Sequence, residues 1–167
     1  MKKLFAIALT MLAFTSFAQE HKTLASPPAS TSAKIGNASL TITYHQPAVK
    51  GRNVWAGDLA PYGKVWRTGA NDATNLTVSE DVTIEGKKLA KGTYALFTIP
   101  GEKEWVIIIN KTAKQWGAYD YKEADDVLRV KVPSKSHAMT ERFTIKAEDS
   151  GKVALLWDKV EVDFNVK

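Results

Sequence analysis

The chain has 167 residues, with 23 basic and 18 acidic residues, no cysteine and a formal net charge of +5. Without cysteine it holds neither a disulfide nor a thiolate metal site, and basic residues scattered along the sequence argue against nucleic acid or an anionic membrane as a partner. The length beyond a short leader suits one domain that buries roughly two-thirds of its unfolded surface.

Met1-Lys2-Lys3 precedes an apolar run from Leu4 to Phe14, and Ser16-Phe17-Ala18 follows before polar Gln19-Glu20. Two lysines, an apolar stretch too short to span a bilayer comfortably and small residues at its end predict a secretory signal peptide over 1–18. The sequence thus predicts cleavage after Ala18 and export to the periplasm or the extracellular space. Loss of Lys2 and Lys3 lowers the net charge by two, and no transmembrane segment is predicted in the mature chain.

Residues 19–32, rich in Ser, Thr, Ala and Pro, read as an extended tether, with the folded domain over 33–167. Leu40, Ile42 and Tyr44 alternate with Thr41, Thr43 and His45, which predicts a strand with one buried face, ended by Pro47. Val49 to Gly63 carries Gly51, Gly57, Pro61 and Gly63 and reads as a long loop with one helical turn around Trp55 to Leu59. Strands are predicted around Leu76 to Val78, Val82 to Ile84, Thr93 to Ile99 and Trp105 to Ile109, with turns at Gly86-Lys87, Lys91-Gly92 and Pro100-Gly101. The run Trp105-Val-Ile-Ile-Ile109 is apolar on both faces and belongs in the middle of a sheet covered on both sides. Lys114 to Asp126 reads as irregular. Further strands are predicted from Leu128 to Val132, ended by Pro133, from Phe143 to Ala147, from Val153 to Trp157 and from Val160 to Val166. A period of two throughout and no crossover helix predict an all-β fold, an antiparallel β-sandwich or jelly roll of short strands with a β-barrel as the alternative.

Tyr62 to Thr74 concentrates two aromatics, two cations, two glycines and an Asn-Asp pair in one segment. Trp116, Tyr119 and Tyr121 form a second aromatic cluster beside four carboxylates. No histidine sits in a hydrolase motif, and no His or Cys spacing suggests a metal site or any cofactor. Asp120 to Asp126 offers carboxylates but lacks the ligand alternation of a calcium loop. The remaining chemistry is binding: Tyr62, Trp66, Arg67, Asn71, Asp72, Trp116, Tyr119 and Arg129 supply the apolar faces, donors and acceptors of a small-molecule or saccharide cleft. In that reading the two aromatic segments are opposite walls, Gly63 and Gly69 are turn residues needing positive φ, and Trp105 and Trp157 are core. One alternative is a carboxylate-dependent hydrolase or isomerase, with Asp72 facing a second acid among Asp120, Asp125 and Asp126. A structural or assembly domain is another. Three glycosylation tripeptides, at Asn37, Asn75 and Asn110, matter only in a source that glycosylates exported chains.

Five stretches in order, Pro47-Ala-Val-Lys-Gly-Arg52, Pro61-Tyr-Gly-Lys-Val-Trp-Arg-Thr-Gly-Ala-Asn71, Gly92-Thr-Tyr-Ala-Leu-Phe-Thr-Ile-Pro-Gly101, Trp116-Gly-Ala-Tyr119 and Asp126-Val-Leu-Arg129, resemble the family called domain of unknown function 2911. The resemblance runs from about Ser26 to the C-terminus. It implies an exported bacterial protein with a β-rich fold and brings no activity, cofactor or catalytic residue. Gln46 stands where the family commonly has a basic residue, and Asp72 where it commonly has Glu. A catalytic Asp72 would carry its carboxyl one methylene short.

Overall fold

The computed structural model describes residues 24–167, so the expected signal peptide and the first residues of the tether lie outside the described residues. Among the described residues nine strands account for nearly all regular structure: β1 (Pro28–Ile35), β2 (Ala38–His45), β3 (Thr74–Val78), β4 (Val82–Ile84), β5 (Lys87–Leu89), β6 (Gly92–Ile99), β7 (Glu104–Asn110), β8 (Asp126–Ala147) and β9 (Lys152–Asn165). Seven of them form one antiparallel sheet in the order β1-β2-β3-β6-β7-β8-β9, and β4 pairs with β5 in a small hairpin. The all-β antiparallel expectation holds. The sheet curls into a half-barrel, between the sandwich and barrel alternatives.

The curl comes from contacts between its two ends. Phe143 donates its N–H to Pro47 O at 2.9 Å and Val49 to Glu141 O at 2.8 Å, which stitches the chain after β2 onto the far half of β8. Inside this seam, the Tyr44 hydroxyl accepts the Ile145 N–H at 2.9 Å and donates to Ile145 O at 3.3 Å. Alternate residues point inward, so Leu40, Ile42, Leu76, Leu96, Ile107, Ile109, Leu155 and Phe164 share one core. Trp55, Trp66, Trp105, Trp157 and Phe143 fill its centre, with Trp66 and Trp157 stacked at 5.3 Å and 11°.

The central strands are buried on the other face as well. Ala95 and Phe97 of β6 and Ile108 of β7 form a second cluster with Ala73, covered by Val65, Ala118 and Tyr121. This is the double burial expected of the Trp105 to Ile109 run, and its outer cover is the irregular 114–126 segment.

Four expectations about the elements are corrected. The stretch read as tether up to residue 32 is a strand from Pro28 onward, because its backbone pairs with β2 from Pro28↔His45 to Ile35↔Ala38. The stop expected at Pro133 is also absent: β8 runs through it, since Pro133 sits opposite Glu104 at the end of the β7 pairing, just where β8 passes to β9 at Ser134↔Val162. A proline at that hand-over interrupts little of either ladder. The two C-terminal strands are likewise one, β9, interrupted only by a left-handed Asp158 with φ 53°. The segment from Trp55 to Leu59 is a series of turns and bends and forms no helical turn.

Candidate functional site

Trp66 joins the sheet through paired hydrogen bonds with Thr98, its N–H to Thr98 O at 2.7 Å and its carbonyl accepting Thr98 N–H at 3.0 Å. Residues 67–73 then leave the sheet before β3 resumes at Thr74, which donates its N–H back to Arg67 O at 3.2 Å. The excursion is tightly bound from within. Thr68 is fully buried at φ 54° and donates its hydroxyl to Thr98 Oγ1 at 3.1 Å, while Thr74 Oγ1 donates to Thr68 O at 2.6 Å. A β-branched residue in the left-handed region is uncommon and costs about 1–3 kcal/mol, held in place by its surroundings. Gly69 is required for close approach and not, as expected, for positive φ: a Cβ there would stand 3.0 Å from His45 O and from Thr74 Oγ1.

The second aromatic segment does reach this loop, but not as a facing wall. Asp72 and Trp116 form an antiparallel bridge, flanked by Ala73 N–H to Gln115 O and Gly117 N–H to Asn71 O, each 3.0 Å. The two segments therefore lie side by side as paired backbone. Arg67 Nη1 donates to Asn71 O at 3.3 Å and reaches Gly117, where a Cβ would stand 3.0 Å from it and 3.0 Å from the Tyr119 ring. Gly117 takes φ 65°, so a side chain is opposed there both by conformation and by space. Trp116 and Tyr119 project outward, 60 % and 79 % exposed.

Thus Arg67, Asn71, Asp72, Trp116 and Tyr119 come together, and three expected members do not join them. Trp66 is 3 % exposed and belongs to the core, its indole N–H donated to Gly69 O at 3.1 Å, and from there it borders a cavity beside the Arg67 loop instead of joining the exposed cluster. Tyr62 stacks on Trp55 at 5.8 Å and 3°. Arg129 ion-pairs with Glu123 and lies 3.6 Å from Asp126. Asp126 in turn accepts from Asn110 Nδ2 at 2.9 Å and from the Tyr121 hydroxyl at 2.6 Å, while Asp125 pairs with Lys111 at 3.1 Å. Glu123, Asp125 and Asp126 are thereby engaged in fastening the 111–126 segment, with Tyr121 edge-on against Phe97 at 5.1 Å.

Two concavities border the Arg67 loop. One is a shallow groove of about 520 Å³ on the outer side, lined by His45, Thr43, Asp72 and Asn75. No second carboxylate lines it among the described residues, so the paired-acid arrangement required of an Asp72 hydrolase does not form around it. The other is a more enclosed cavity of about 200 Å³ between the chain after β2 and the Arg67 loop, lined by Lys50, Arg52, Leu59, Trp66, Arg67 and Trp157 among others. Its Pro47–Arg52 wall was missed as a site, although Lys50-Gly51-Arg52 places two cations about a turn glycine in plain view.

The family profile described as Protein of unknown function (DUF2911) matches residues 26–166, nearly the whole chain. The chain belongs to this family. No curated protein and no solved structure matches it. Both walls of the enclosed cavity, Pro47–Arg52 and Trp66–Ala70, fall within the DUF2911 match, as does the Trp116–Tyr119 segment. Among the described residues, no helix is long and apolar enough to cross a membrane.

Proposed function

We propose that this DUF2911 protein is an exported binding module for a small molecule or saccharide, with its site centred on Arg67. The observation that carries the reading is the double placement of Arg67: it lines the enclosed cavity of about 200 Å³, and its guanidinium touches the loop that presents Trp116 and Tyr119. Partly enclosed space beside exposed aromatic faces and fixed hydrogen-bond donors is the usual make-up of a small-ligand site. The volume lies below the roughly 300–1,000 Å³ of drug-sized pockets, which suits a ligand no larger than a monosaccharide. Export is supported by the residues of 1–18 alone, and N-terminal sequencing of the secreted protein tests it, Gln19 being the expected first residue.

Thermal-shift screening of monosaccharides, their acid derivatives and small metabolites tests the binding. A rise in Tm that grows with the logarithm of ligand concentration, without chemical turnover, is expected, of the size that mass action gives, about 2.7 kcal/mol of stability at a hundredfold excess over Kd. A ligand whose effect survives the combined Arg67→Ala and Trp116→Ala substitutions refutes the site.

A further inference from the structure

We infer that the enclosed cavity takes an oxyanion: a carboxylate, sulfate or phosphate group carried on a small molecule. This rests on the binding reading above and gives its ligand a chemical class. Lys50, Arg52 and Arg67 all line the cavity, and no Asp or Glu among the described residues lines it with them. None of the three makes an ion pair among the described residues, whereas Lys111, Arg129, Lys131, Lys135 and Lys152 all do.

The two arginines are held without being neutralised. Arg52 donates Nε to Val49 O at 3.0 Å and Nη2 to Ala48 O at 2.6 Å, and Arg67 donates Nη1 to Asn71 O at 3.3 Å. Carbonyl oxygens fix the orientation of a guanidinium but leave its charge uncompensated, and each guanidinium has about five N–H donors, so most remain free. Arg142 adds a fourth cation nearby, donating Nη1 to Ala25 O at 3.4 Å and to Gln46 O at 3.3 Å, and Ala25 also lines the cavity. The acids beside the cavity wall, Asp58, Glu141 and Asp158, do not line the cavity; Glu141 accepts the Lys50 backbone N–H at 2.8 Å and Asp158 accepts the Trp55 indole N–H at 3.0 Å. Like charges gathered around an enclosed space focus positive potential into it, and oriented guanidinium forks match the oxygens of a carboxylate, sulfate or phosphate.

The test is calorimetric titration of the protein with glucose, glucuronate, glucose 6-phosphate and glucose 6-sulfate, and with inorganic phosphate alone. The expected result is at least tenfold tighter binding of one or more anions than of glucose, weakening with added NaCl. Lys50→Gln and Arg67→Gln should each weaken that anion at least fivefold. Lys50 is exposed and its side chain makes no hydrogen bond among the described residues, so that variant keeps the fold should Arg67→Gln disturb it. The preferred anion, or a match by inorganic phosphate alone, identifies which oxyanion is read. Equal binding of glucose and the anions, lost equally in both variants, overturns the oxyanion and leaves the binding module standing. Binding of none of the probes overturns both.

Discussion

Arg67 and Tyr119 both crowd Gly117: a Cβ on that glycine would stand 3.0 Å from the Arg67 guanidinium and 3.0 Å from the Tyr119 ring. Two segments about fifty residues apart in sequence are thereby brought together at the Arg67 side chain as well as by the Asp72–Trp116 bridge. The junction depends on a residue with no side chain.

Gly117→Ala should therefore act on both. The methyl group is opposed by φ 65° and by its two neighbours, and a loss of about 1–3 kcal/mol is expected in urea denaturation. Ligand affinity should fall in the same variant, because the Arg67 guanidinium must move to make room.

Thr68→Val tests how the Arg67 loop is tied to the sheet. The substitution keeps the shape but removes the hydroxyl that donates to Thr98 Oγ1 at 3.1 Å in a fully buried setting. A loss of about 1–3 kcal/mol is expected from the groups left unpaired, and Thr68→Ser should recover most of it. Equal stability of all three forms would show that the loop is held by packing alone.

Trp66 and Trp116 should separate cleanly in the same assay. Trp66→Ala opens the stacked centre of the core and should cost about 3–5 kcal/mol. Trp116→Ala, at a residue 60 % exposed, should stay within about 0.5 kcal/mol of the parent while weakening ligand binding.

Tyr121 predicts a pH dependence. Burial, and then the hydrogen bond to the Asp126 carboxylate, push its phenol well above the ordinary value of 10.0. The folded form thus holds its proton where the unfolded form releases it, so the contribution to stability is complete below pH 10.0 and is lost as pH rises above it. Urea midpoints should fall steadily above that pH, and Tyr121→Phe should flatten part of the fall. Tyr44, also raised by burial, should retain a share of it. At neutral pH Tyr121→Phe should cost about 1.5–3 kcal/mol, the worth of a hydrogen bond to a charged group.

Much of the fold was legible because period-two patterning reports burial directly. Leu40, Ile42 and Tyr44 turned inward as written, and the apolar run at 105–109 took the doubly covered place its composition required. What was not legible depended on long-range pairing. Pro133 reads locally as a stop, and only the exchange of partners from β7 to β9 makes it tolerable. Ser30 to Ser32 read as tether because a strand at the edge of the sheet carries little apolar pattern. In the site, the convergence of the two aromatic segments was readable from their composition, but their manner of meeting was not. Backbone pairing at Asp72–Trp116 set them side by side, and Lys50 and Arg52 became the opposite wall of the cavity through the seam between Pro47 and Phe143.

The most direct measurement is a titration of the ¹⁵N-labelled protein with glucuronate, followed by amide chemical shifts. The largest changes are expected on Lys50 to Arg52 and Arg67 to Ala70, which wall the enclosed cavity, and on Gly117, which the Arg67 guanidinium reaches. Saturable changes confined to the His45–Asp72 groove or to the surface around Arg129, with these residues unmoved, would contradict a site centred on Arg67.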